Sequence, residues 1–133
     1  MANVDKTVTN VNLTRETGVA VTATAFTSDT SANDTETLII TPTRRGTQLV
    51  VIINNVASDQ GSLAVDCAAG DYWAGQAMTQ VAVAQGTSKA LVFEPAKHQD
   101  KDDDTIEVVV TPASGKKLVT NHAATWQCFQ MPS

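Results

Sequence analysis

Short stretches that alternate apolar and polar residues recur along the chain, and no stretch keeps the 3.6-residue period of an amphipathic helix. Alternation with a period of two predicts half-buried strands. Valine, isoleucine and threonine are frequent in these stretches, and branching at Cβ favours extended backbone. The pattern predicts strands, separated by turn residues, at residues 19–26, 37–41, 49–53, 63–67, 81–83, 90–93, 106–110, 117–119 and 125–129.

Many short strands with turns between them predict an all-β fold, an antiparallel β-sandwich or a jelly-roll-like variant of it, with less than about a tenth of the chain in helix. The continuous apolar run at residues 49–53 predicts a central strand that is covered on both faces. The inward-facing positions of the strands predict a core made of Leu38, Ile40, Val51, Ile53, Val65, Leu91, Phe93, Val108, Val110 and Trp126.

A polar loop at residues 27–35 separates two parts of the sequence, which we take as residues 1–35, an N-terminal arm with leading strands, and residues 36–133, the sandwich body. The apolar residues of the first 17 positions are widely spaced, yet the segment is too apolar for a disordered tail. We expect residues 1–17 to form an extended arm that adds a strand to a neighbouring subunit. The alternative is that residues 7–14 form the first strand of the chain's own sandwich.

Charge and hydrophobicity argue against two classes of partner, nucleic acids and membranes. Only 17% of the residues are charged, the net charge is −5, and the nine basic residues are scattered. Nucleic-acid binding requires a concentrated positive surface, so we expect no nucleic-acid partner. No stretch approaches the roughly 20 apolar residues that span a bilayer, and residues 1–6 lack the features of a secretory signal, so we expect no membrane partner.

The two cysteines, Cys67 and Cys128, each lie in an apolar, strand-like stretch. We expect both to be buried, reduced thiols that act as small hydrophobic residues. A disulfide between them is the alternative, although nothing in the sequence indicates an oxidising compartment.

The acidic run at residues 100–104 is the best candidate for metal binding, because carboxylate oxygens suit calcium. It lacks the glycine and the final glutamate of an EF-hand loop, so a solvated acidic turn is the preferred interpretation. His98 and His122 have no nearby zinc-ligand or nucleophile motif, and we expect ordinary polar residues at strand ends or in loops. The sequence therefore predicts a protein that is not an enzyme, with no catalytic residues, no cofactor and no metal.

The loop at residues 68–75 holds the only tyrosine, Tyr72, and one of the two tryptophans, Trp73, between glycines. Tyrosine and tryptophan are frequent in interface hot spots, so this loop is a candidate contact surface. The alternative is that Trp73 folds back and caps one end of the sandwich.

Five segments between residues 36 and 130 resemble small auxiliary virion proteins of tailed bacteriophages. They are residues 38–43 (LIITPT), 49–55 (LVVIINN), 61–65 (GSLAV), 69–75 (AGDYWAG) and 84–98 (AQGTSKALVFEPAKH). In that family a strand ending in I-x-N is followed by a T-V-x-I-x-A-G-x segment. A glycine-rich loop, an A-x-G-x-x-x-x-L turn and strand, and E-x-x-R/H come next.

The resemblance implies a head decoration (cement) protein, made in the host cytoplasm, that binds the outer surface of the capsid and clamps neighbouring capsomers. Its partner would be the major capsid protein, and it would be a homo-oligomer, with a trimer favoured. The alternative is a tail or fibre module that recognises a host glycan or another tail protein. The N-terminal arm and the aromatic loop supply the candidate interface residues, which are Val8, Val11, Leu13, Tyr72 and Trp73.

Overall fold

The computed structural model describes residues 2–8, 10–43 and 47–132. Within these ranges the chain forms ten strands and one short helix. They are β1 (Asn3–Val8), β2 (Val11–Asn12), β3 (Thr24–Ala25), β4 (Thr35–Ile40), β5 (Leu49–Asn55), β6 (Leu63–Cys67), β7 (Val81–Val83), β8 (Thr87–Phe93), α1 (Pro95–His98), β9 (Ile106–Thr111) and β10 (Thr125–Gln130).

Two sheets pack face to face, which confirms the predicted all-β sandwich. Sheet A has the strand order β1-β4-β9-β6-β7, and sheet B has the order β2-β10-β5-β8, with β3 also paired to β10. The strand register gives the sandwich two ends. We call the end built from residues 26–34, 56–62, 84–86 and 112–124 the polar end, and the end built from residues 68–80 and 94–105 the aromatic end.

The N-terminal residues belong to the chain's own sandwich. β1 pairs in parallel with β4, from Asn3 opposite Thr35 to Val8 opposite Ile40, and β2 pairs in parallel with β10. Val8 is 5% exposed and lies in the core. The prediction that residues 1–17 contact a neighbouring subunit instead of this core is therefore wrong, and the alternative of a first strand in the same sandwich is closer. These parallel pairs also make both sheets mixed, where purely antiparallel sheets were predicted.

Two predicted strands are largely absent. In the stretch 19–26 only Thr24–Ala25 pairs, and residues 117–119 lie in a turn. One apolar residue of each stretch is nevertheless buried, because Phe26 and Leu118 point into the core from irregular backbone. The other predicted strands form, and all ten predicted core residues are buried.

The polar end is held by buried side-chain hydrogen bonds. His122 is fully buried, its Nδ1–H donates to Asn55 Oδ1 (3.1 Å), and its Nε2 accepts from the backbone N–H of Ala113 (3.1 Å). Asn55 in turn donates from Nδ2 to the carbonyl oxygens of Gly61 (2.9 Å) and Val83 (3.0 Å). This arrangement requires a neutral imidazole, and burial, followed by the charge of Lys116, lowers the His122 pKa from 6.5.

Glu36 anchors the loop that enters sheet A at the same end. It is fully buried, and its Oε1 accepts hydrogen bonds from the backbone N–H of Thr27 (2.7 Å), the Thr27 hydroxyl (3.0 Å) and the backbone N–H of Ser28 (2.7 Å). A carboxylate that accepts three hydrogen bonds satisfies donors that an irregular loop would otherwise leave unpaired.

The two thiols are free and buried, as predicted. Burial raises the pKa of both Cys67 and Cys128 to about 12, with a further contribution at Cys67 from Asp100 and Glu107. Both side chains therefore stay protonated at neutral pH and are poor nucleophiles. In the part of the chain that the structure describes, no helix is long and apolar enough to cross a membrane.

Candidate interaction surface

A row of apolar side chains crosses the outer face of sheet B. In β8, Leu91 and Phe93 point into the core, so Val92 between them points outward and is 57% exposed. Val92 lies opposite Val50 of β5, Val50 lies opposite Phe129 of β10, and Phe129 lies opposite Val11 of β2. Directly opposed residues of paired strands share a face. We call Val11, Phe129, Val50 and Val92 the apolar row.

The neighbouring positions extend this surface. Ile52 lies opposite Ala90 on one side and Gln127 on the other, and Asn54 follows on the same face. The outer face therefore changes from apolar near the aromatic end to polar near the polar end. The run 49–53 was predicted to be covered on both faces. Its inner residues are buried by sheet A. On its outer face Val50 is only 8% exposed and Ile52 is partly buried, although no second layer of described strands packs there.

The aromatic loop, residues 68–75, is fixed to the segment around α1 by backbone hydrogen bonds. Gly70 N–H donates to Lys97 O (2.9 Å), Asp71 N–H donates to Gln99 O (3.2 Å), and Gln76 N–H donates to Lys97 O (2.9 Å). A Cβ at Gly70 would collide with the backbone of residues 98 and 99, so this close approach depends on glycine.

The same loop presents its aromatic side chains to solvent. Trp73 is 100% exposed and Tyr72 is 39% exposed. The alternative that Trp73 caps the end of the sandwich is therefore wrong, since its ring covers nothing. A fully exposed tryptophan on a well-anchored loop is an unusual use of apolar area, and large exposed apolar groups mark contact sites more often than isolated small ones.

The acidic run forms an exposed turn beside Tyr72, which is the interpretation preferred from the sequence. Asp104 adopts a left-handed conformation (φ 58°), and its Oδ1 accepts from the Tyr72 hydroxyl (3.1 Å). Burial, followed by the charges of Asp71 and the neighbouring aspartates, raises the pKa of Asp100. Among the described residues no three histidine, cysteine or acidic side chains come together in a way that would hold a metal ion.

The two histidines lie at opposite ends of the molecule. His98 ends α1, its Nδ1 lies 3.1 Å from Ala68 O, and its ring packs edge-on against Phe93. His122 lies in the turn before β10 and is buried in the network with Asn55. Both histidines therefore lie in connections between strands, as expected, and both side chains are buried. Each histidine has a structural contact that explains its place.

A groove links the apolar row to the aromatic loop. Its cavity of about 450 Å³ runs between Val92 and Lys97 on one side and residues 76–79, which follow the aromatic loop, on the other. A second cavity of about 570 Å³ lies further along β8. The aromatic end therefore offers a corrugated surface with exposed apolar side chains.

The five predicted interface residues fall at this end but on different surfaces. Val11 belongs to the apolar row, and Tyr72 and Trp73 lie on the aromatic loop, whereas Val8 is in the core. Leu13 is partly buried beside β10, where its N–H donates to Gln130 O. The sequence reading missed Val50, Val92 and Phe129. The alternation of β8 indicates that Val92 points outward. Only the strand register places it beside Val50 and Phe129.

No protein-family model, no curated protein and no solved structure matches this chain.

Proposed function

We propose that this protein is a phage capsid decoration (cement) protein that binds the outer capsid surface and stabilises the contacts between capsomers. The observation that supports the proposal most is the apolar row, which crosses β2, β10, β5 and β8 on the outer face of sheet B and exposes Val92 beside an exposed tryptophan. The sequence resemblance supplies the virion setting, and the surface supplies a physical means of attachment.

A sheet face suits attachment to another protein because many side chains contact the partner at once. Each square ångström of apolar surface removed from water contributes about 25 cal/mol, and the strands are already ordered, so little conformational entropy is lost. Trp73 and Tyr72 would supply the large anchors that dominate such interfaces. The proposal includes a homo-oligomer, with a trimer favoured, in which several copies bind the major capsid protein together.

The test compares two valines with the same exposure. Val92 and Val56 are both 57% exposed, but Val92 is in the apolar row and Val56 follows β5 at the polar end. We expect Val92→Lys to weaken binding to purified, undecorated capsids by tenfold or more in a co-sedimentation assay, and Val56→Lys to leave it unchanged. Equal binding by both variants and the wild type would contradict a role for the row.

A tail or fibre module that recognises a host glycan is the second candidate, favoured by one feature of the aromatic loop. Trp73 and Tyr72 lie next to Asp71 and Asp104, and sugar sites combine an aromatic face with carboxylates that accept hydroxyl hydrogen bonds. Immunogold labelling of purified virions separates the two. Label over the whole head supports decoration, and label confined to the tail supports the module. Trp73→Ala should abolish host-glycan binding only in the second case.

A further inference from the structure

The free edge of β8 ends sheet B. β8 pairs with β5 along its whole length, from Leu49 opposite Phe93 to Asn55 opposite Thr87, and no described strand pairs with its other side. β7, the last strand of sheet A, has only three residues and leaves the sandwich open on this side. An unpaired strand edge is a template for another extended chain.

The edge is guarded along only part of its length. Natural edges are commonly protected by proline, bulges or charged side chains that point inward. β8 contains no proline, and Lys89 is its only charged residue. Lys89 alternates with Leu91 and Phe93 and therefore points to the core side. Residues 90–93 beyond it are all apolar and carry none of these protections.

A groove accompanies this edge. The cavity of about 570 Å³ is lined by Met78, Thr79 and Val81 from the β7 side and by Lys89, Leu91 and Val92 from β8. Its walls are mainly apolar, and methionine adapts its shape readily to a ligand. The groove thus offers what a bound strand requires, namely a row of backbone groups on one side and apolar pockets for alternate side chains.

The charge in the groove indicates what the occupant carries. Lys89 is exposed and has no anionic partner among the described residues, where the one lysine–carboxylate pair joins Lys97 to Glu94. An apolar groove with one unpaired ammonium group is complementary to an apolar segment with one carboxylate. The same ammonium group opposes pairing with an uncharged apolar strand, because it would then be covered without a partner.

We propose that an extended segment of a partner protein, apolar and carrying one carboxylate side chain, binds in this groove as an added strand of sheet B with its carboxylate at Lys89. The site runs along the free edge of β8 and shares only Val92 with the apolar row. The proposal therefore stands whether or not the row binds a capsid.

The test uses the full chain and a set of fluorescent peptides. Each is an acetylated heptapeptide of alternating threonine and valine with one glutamate, and the set places the glutamate at each of the seven positions. Matched sets carry lysine in place of glutamate, or N-methyl groups on alternate amides. We expect fluorescence anisotropy to show at least tenfold tighter binding of the best glutamate peptide than of its lysine counterpart, and no binding of its N-methylated form.

Two lysines give a matched pair of variants. Lys6 lies on β1, the edge strand of sheet A, and alternates with Val4 and Val8 in the way that Lys89 alternates with Leu91 and Phe93. Lys89→Glu should reverse the preference in favour of the lysine peptides, whereas Lys6→Glu should leave it unchanged. In the wild type, peptide-induced shifts of the amide resonances should concentrate at residues 87–93.

Three results would overturn the proposal. The first is that no glutamate peptide binds, and the second is that the N-methylated peptides bind equally well. The third is sedimentation of the protein as a dimer that Lys89→Glu dissociates, which would make a second copy the occupant of the edge. Capsid binding by Lys89→Glu is measured in parallel, and its retention together with lost peptide preference separates this site from the apolar row.

Discussion

The two ends of the sandwich are held in different ways. At the polar end, buried side chains such as Glu36, Asn55 and His122 satisfy the backbone groups of irregular loops. At the aromatic end, backbone hydrogen bonds and close glycine contacts hold a loop whose largest side chain, Trp73, touches solvent on all sides. The first end stabilises the fold, and the second presents a surface. Substitutions at the two ends should therefore separate stability from binding.

Asn55→Ala should cause the largest loss of stability among the substitutions at the two ends. It leaves the carbonyl oxygens of Gly61 and Val83 and the Nδ1–H of His122 without partners in a buried site. Unsatisfied buried groups cost about 1–3 kcal/mol each, and we expect a loss of about 3 kcal/mol after relaxation. Urea denaturation measures it, with Asn54→Ala on the outer face of the same strand as the control, for which we expect less than about 1 kcal/mol. Similar losses for both variants would contradict the assigned role of the network.

Gly70→Ala should have the next largest effect, this time at the aromatic end. The new methyl group meets the backbone of residues 98 and 99 and must displace the loop, and such overpacking costs about 1–3 kcal/mol. Gly18→Ala is the matched control, since a Cβ there meets nothing within 4 Å. Thermal unfolding distinguishes the two variants. If Gly70→Ala melts with the wild type and Gly18→Ala does not, the close contact does not hold the loop.

Acidification should weaken the polar end through His122. Its pKa in the folded protein is lowered from 6.5, so the unfolded chain takes up a proton that the folded protein excludes. Stability is then fully present above about pH 6.5 and decreases as the pH falls below it. Denaturation between pH 8 and pH 5.5 should show this decrease in the wild type and a flatter profile in His122→Gln. Parallel profiles would place the titrating group elsewhere.

Trp73→Ala should have the smallest effect on stability and a large one on binding. The side chain is fully exposed, and substitutions of exposed residues without contacts change stability by less than about 0.5 kcal/mol. We expect an unchanged melting temperature together with a clear loss of capsid binding. Trp126→Ala in the core gives the opposite control, with a loss of about 3–5 kcal/mol. A melting temperature lowered by several degrees in Trp73→Ala would show that the ring packs on the protein in solution.

Local patterns were enough to predict the strands with clear alternation. Residues 63–67 and 81–83 form strands with the predicted limits, because large apolar side chains alternate there with small or polar ones. Residues 117–119 also contain adjacent apolar residues but form no strand, since Leu118 reaches the core from a turn. Composition alone does not distinguish these two ways of burying a leucine.

Local patterns did not predict which residues far apart in the sequence pair with each other. β1 pairs with a strand that begins 32 residues later, and His122 finds its partner Asn55 67 residues away. The apolar row joins four strands whose order in the sheet differs from their order in the chain. For the same reason, the exposed Tyr72 and Trp73 were recognisable as candidates, and the Val92 surface beside them was not.

The place of β10 has a consequence for biosynthesis. This strand lies in the interior of sheet B, between β2 and β5, yet the ribosome makes it after every other described strand. Until residues 125–130 have left the exit tunnel, β2 has no neighbour and β5 has one unpaired side. We therefore expect nascent chains stalled before residue 125 to remain sensitive to protease and bound by chaperones, with sheet B completed only once residues 125–130 have emerged.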